Sequence, residues 1–121
     1  MAGHRYWKLL SLPPRNSTTQ AIAEIQLRET VSGANFLTGG TASAHAFTAT
    51  TGLPSFAVDG NALTNWSIAG EVSASGVDWW AYDLGVGVTK LPVEMVLTGN
   101  SNAASQAPVN IILAYSDDGY Q

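Results

Sequence analysis

The sequence predicts an all-β domain, a sandwich or jelly roll of short strands. Three observations carry that expectation. Apolar and polar residues alternate with a period of two in several segments, clusters of Gly, Asn and Ser separate those segments, and charged residues are scarce. Only 12% of the 121 residues are charged against 45% hydrophobic, so the chain lacks the Lys/Glu-rich faces that solvate helices. It is also too apolar to be disordered. The length suits one domain spanning 1–121, able to bury about two-thirds of its unfolded surface.

The first expected strand is Tyr6-Trp7-Lys8-Leu9-Leu10-Ser11-Leu12, aromatic and β-favouring, and Pro13-Pro14 stops it. Arg15 to Gln20 reads as a polar loop. From Ala21 to Arg28, Ala23, Ile25 and Leu27 alternate with Glu24, Gln26 and Arg28, the pattern of a half-buried strand. A helix competes for this segment, since Ala, Glu, Gln and Leu favour one, but Ile22 and Leu27 fit no clean helical stripe. Gly33, Gly39 and Gly40 interrupt the stretch from Ser32 to Thr51, which predicts mostly loop with one short strand near His45-Ala46-Phe47.

Phe56-Ala57-Val58 leads into an Asp59-Gly60-Asn61 turn, then Thr64 and Trp66, then a Ser/Ala/Gly-rich loop. Three clearer strands come after it. Trp80, Tyr82 and Leu84 alternate with Trp79, Ala81 and Asp83; Val93, Met95 and Leu97 alternate with Glu94, Val96 and Thr98. Val109, Ile111, Leu113 and Tyr115 alternate with Asn110, Ile112, Ala114 and Ser116, after a long polar loop from Gly99 to Pro108. Alternation puts Trp80 in the core with Tyr82 and Leu84, where an indole buries a large apolar area. Trp79 falls on the opposite face and is expected to be exposed.

Composition narrows the partners. The net charge is −4 and no basic run exists, so the electrostatic footprint for nucleic acid or an anionic membrane is missing. There is no cysteine, which excludes disulfides and thiolate metal sites. The first residues hold no apolar signal-peptide core, and no apolar run approaches the roughly 20 residues of a membrane span. Synthesis and folding in a cytoplasm are expected, although the place of work need not be the same.

Catalysis finds little support. The motif Gly-x-Ser-x-Gly is absent, and His4 and His45 sit in no triad context. A carboxylate pair would have to come from Glu71, Asp78 or Asp83, of which the first two flank a loop and the third ends a strand. A binding protein is expected, not an enzyme. Asn16-Ser17-Thr18 and Asn65-Trp66-Ser67 match the glycosylation sequon by chance.

These pieces, in order, resemble the galactose-binding-like superfamily, which includes discoidin and coagulation-factor type C domains and many carbohydrate-binding modules. The matching pieces are Tyr6-Trp7, Ala23-Glu24-Ile25-Gln26-Leu27, Thr38-Gly39-Gly40-Thr41, Phe56 to Asn61 with Thr64 and Trp66, Trp80 to Gly85, and Tyr115 to Gly119. The opening His4-Arg5-Tyr6-Trp7 and the Ser116-Asp117-Asp118-Gly119 ending look most like versions carried by phage tail and other virion proteins. In such domains the Asp-Asp-Gly turn leads into further strands, whereas here the sequence stops at Gln121. That leaves Val109–Tyr115 as an expected open edge, completed either by a longer chain or by a neighbouring subunit.

The resemblance also puts Trp66 at a core position and implies a structural calcium site. Asp59, Asn61, Thr64 and the Val58 carbonyl carry over by position, while the acidic ligand that relatives place near the C-terminus has no counterpart. The competing reading is an Asp-Gly turn held by its own hydrogen bonds. For a ligand such as a glycan, the candidates are Trp79, His45, Asn100 and Asn102, set against an exposed aromatic, a solvated loop His and a plain polar turn. The expected function is a phage virion module from a tail, fibre or decoration protein, binding other virion subunits, a second copy of itself, or a host glycan. The alternative is a carbohydrate-binding module of a bacterial glycan-active protein working outside the cell.

Overall fold

The structure is a computed structural model and describes residues 3–11, 19–45, 50–69, 78–99 and 111–118. These form strands β1 (Tyr6–Ser11), β2 (Thr19–Arg28), β3 (Thr41–Ala44), β4 (Trp66–Ala69), β5 (Asp78–Asp83), β6 (Glu94–Gly99) and β7 (Ile111–Ser116), with one 3-10 turn at Pro54–Val58. The strands make two antiparallel sheets, β3-β5-β1-β7 and β4-β2-β6. The all-β expectation therefore holds.

One core joins the two sheets. Trp7 and Leu9 of β1 and Trp80, Tyr82 and Leu84 of the β5 segment face Ile22, Ile25 and Leu27 of β2 and Trp66 of β4. The alternation read from the sequence is the cause, since residues two apart on a strand share a face. Trp66 is 1% exposed and Trp80 is 2% exposed, so both indoles are core residues as expected. Trp80 stacks on Tyr82 with ring centroids 5.9 Å apart.

The position of Ile22, out of step with Ala23, Ile25 and Leu27, has a physical origin. The pairing of β2 with β6 shifts register between Ile22 and Glu24. Unbroken, a strand would point Ile22 and Ile25 to opposite faces; an irregularity of this kind lets both reach the core. The small, fully buried Ala23 sits inside it.

Three boundaries differ from the expectation. The short strand after Gly40 is Thr41–Ala44, ahead of His45, and residues 46–49 lie outside the described residues. Gly40 sets this start: its N–H donates to the Tyr82 hydroxyl at 2.8 Å, and a Cβ there would collide with the Asp83 carbonyl oxygen. Only glycine lets the chain lie so close to β5. Strand β4 begins at Trp66 where a loop was expected, since a short Trp-Ser-Ile-Ala run carries little periodic signal. Strand β2 begins at Thr19, two residues before the expected start.

The core makes a direct prediction. Trp66→Ala should lower unfolding free energy by about 3–5 kcal/mol in urea titrations, through lost burial and a residual cavity. Trp79→Ala, on the outward face of β5, should cost under about 2 kcal/mol. Equal losses would contradict the assignment of the two faces.

Candidate functional site

The segment from Pro54 to Thr64 is held from below by the core. The buried Trp80 indole N–H donates to the Pro54 carbonyl at 2.8 Å, Ala57 is fully buried, and Val58 packs against the core cluster. The chain then turns outward through Gly60, whose φ of +75° favours glycine. Asp59 organises this turn. Its Oδ1 accepts the Asn61 N–H at 2.9 Å, and its Oδ2 accepts the Thr64 hydroxyl. That hydroxyl is also 3.0 Å from the Asn61 carbonyl oxygen, while the Asn61 side chain accepts the Leu63 N–H at 2.9 Å. Asp59, Asn61 and Thr64 thus converge in one loop.

A residue that sequence reasoning placed on the polar face of β2 belongs to the same place. Glu24 is only 7% exposed, and its carboxyl group lies against Asp59 and the N–H groups of Asn61 and Gly60. Burial, then the neighbouring Asp59, pushes its pKa up to about 7. For Asp59 burial acts in the same upward direction, but hydrogen bonds from Thr64, the Asn61 N–H and Glu24 outweigh it and hold the carboxyl below its usual range. The arrangement is an ionised Asp59 beside a Glu24 that favours its protonated form. The Glu24 Oε1 atom is buried and has no hydrogen-bond partner among the described residues. One signal was available in the sequence: Glu24 is the only charged residue between Thr19 and Leu27.

The residues fit a hard cation. Two carboxylates, a hydroxyl and a main-chain carbonyl supply oxygen donors only, as Ca²⁺ prefers, and one buried carboxylate oxygen awaits a partner. Among the described residues no three His, Cys, Asp or Glu side chains gather as a group, so neutral oxygens would complete the shell.

The other candidates lie elsewhere. The His45 N–H donates to the Trp79 carbonyl at 2.9 Å, which sets these two residues side by side across β3 and β5. Trp79, expected to be exposed, is instead half-buried, with the Lys8 ammonium 4.6 Å from its ring centroid, while His45 is exposed. Asn100 and Asn102 lie outside the described residues, as does Glu71. Asp83 is engaged by Arg5, whose guanidinium donates to both carboxylate oxygens at 2.7 and 2.9 Å and lowers the Asp83 pKa. His4 Nδ1 lies 3.1 Å from both Asp117 oxygens, and its ring stacks on Tyr115 at 3.6 Å. Both groups fasten the start of β1 to its neighbours.

The chain matches no family model, no curated protein and no solved structure. Geometry and residue chemistry carry the functional reading.

Glu24 also imposes a pH dependence. A carboxyl that ionises near 7 when folded and near 4.3 when unfolded holds its proton more tightly in the folded state. Its stabilising contribution is complete below about 4.3 and is lost as pH rises through about 7. In chelator-containing buffer, this contribution should fall away between about pH 4.5 and pH 7.5, and Glu24→Gln should flatten that slope and exceed the parent protein at the upper end by about 1–3 kcal/mol. Parallel pH profiles for the two proteins would refute the buried pair.

Proposed function

We propose that this chain is a non-enzymatic β-sandwich module of a phage virion, in a tail, fibre or decoration protein, and that it attaches to other virion subunits or to a host glycan. The observation that carries the attachment role is an apolar row across the outward face of the four-stranded sheet. Register sets Ile112 of β7 beside Leu10 of β1, and Leu10 beside Trp79 of β5. Ile112 is 62% exposed, while Leu10 and Trp79 are half-buried. Contiguous apolar side chains facing water on a sheet favour association. β7 ends the sheet order among the described residues, so the row runs out to an edge.

The galactose-binding-like identity of the sandwich, the virion setting and a homo-oligomeric or mixed assembly extend the resemblance of His4-Arg5-Tyr6-Trp7 and Ser116-Asp117-Asp118-Gly119. A structural Ca²⁺ held by Asp59, Asn61, Thr64 and the Val58 carbonyl belongs to the same reading. The second reading, a carbohydrate-binding module acting outside the cell, is favoured by one feature. Trp79, with Lys8 over its ring and His45 beside it, offers an aromatic surface next to polar groups of the kind that holds a sugar ring.

Density-gradient purification of phage particles tests the first reading. The protein should band with the particles, and Ile112→Asp should reduce its occupancy about tenfold with little change in melting temperature. Recovery only from host cytoplasm would overturn it. A glycan array separates the two readings: sugar binding that Trp79→Ala abolishes supports the carbohydrate module, and no binding supports assembly.

A further inference from the structure

We infer that Glu24 of β2 is the second carboxylate of a hard-cation site shared with the Asp59–Thr64 loop, in the place of an acidic residue from the end of the chain. This rests on the calcium reading of that loop and extends it to a residue on another element.

Four observations converge on it. Glu24 is more than nine-tenths buried, yet its Oε1 has no hydrogen-bond partner among the described residues. A buried carboxylate oxygen left without a partner is costly, and a bound cation is one of the few things that removes the cost. The group it lies against is another carboxylate, Asp59, when buried acids ordinarily pair with Lys or Arg. Without a cation the two share a proton; a divalent cation between them would displace that proton and attract both ionised carboxylates. Beside them, the Thr64 hydroxyl and the Asn61 carbonyl lie 3.0 Å apart, so neutral oxygen donors already converge.

The donor set selects the metal. Oxygen donors with no nitrogen or sulfur disfavour Zn²⁺ and Cu²⁺. Mixed carboxylate, hydroxyl and carbonyl oxygens on a turn suit the larger, less demanding coordination shell of Ca²⁺ better than the rigid octahedron of Mg²⁺. The two carboxylates come from different places. β2 is the central strand of its sheet, whereas Asp59 is on a surface turn. A cation bound by both would fasten the turn to the sheet.

The test uses Ca²⁺ and Tb³⁺ as probes, the latter because buried Trp66 lies two residues beyond Thr64 and can sensitise its luminescence. The parent protein should gain about 5 °C or more in melting temperature on moving from chelator to millimolar Ca²⁺, and should show Tb³⁺ luminescence that Ca²⁺ competes away. Glu24→Gln should lose the thermal shift and weaken Tb³⁺ binding at least tenfold, while Glu94→Gln, paired with Arg28 away from the loop, keeps both. Glu24→Asp, which retains the charge but retracts it, should give an intermediate affinity and serves if the Gln variant does not fold. If Glu24→Gln and Glu24→Asp bind as tightly as the parent protein, Glu24 is not a ligand although the cation site at Asp59 stands. If the parent protein shows neither the shift nor the luminescence, both the inference and the calcium reading fall.

Discussion

The buried Trp80 indole fixes more of this molecule than any other group. It fills the core between the two sheets, and its N–H reaches across to the Pro54 carbonyl. That bond ties the four-stranded sheet to a segment that would otherwise be a surface loop. With Pro54 and Ala57 buried, Asp59 emerges where Glu24 of the opposite sheet is waiting. The polar site is thus a consequence of apolar packing: the core brings two carboxyl groups together that would separate in water.

A similar division of labour holds at the other end of the strands. Arg5 with Asp83 and His4 with Asp117 and Tyr115 fasten the start of β1 to β5 and β7, the strands on either side of it. These partly exposed pairs contribute little free energy each. They secure the ends of a sheet whose middle is held by Trp7, Leu9 and Tyr82. The outward face, relieved of the core, is where the Ile112–Leu10–Trp79 row offers itself to a partner.

Much of the fold was legible because strand periodicity is a local signal. Trp80, Tyr82 and Leu84 announced their face directly, and so did Ile25 and Leu27. The features that escaped were non-local. The register shift beside Ala23 depends on pairing with β6, and β4 exists because Trp66 pairs with Ile22. In the site, Asp59, Asn61 and Thr64 were legible because they are neighbours in one turn. Glu24 was not, because alternation puts it on a polar face, and nothing in a strand's pattern says that a loop 35 residues away will cover that face. The pairing of Trp79 with His45 was hidden for the same reason, since only cross-strand register unites them.

The central claim is that the core presses Glu24 against Asp59. The most direct measurement is a side-chain carboxyl NMR titration of ¹³C-labelled protein in chelator-containing buffer. The Glu24 carboxyl carbon should titrate with a midpoint near 7. A midpoint in the ordinary glutamate range, about 4.3, would show a solvated side chain and contradict the account.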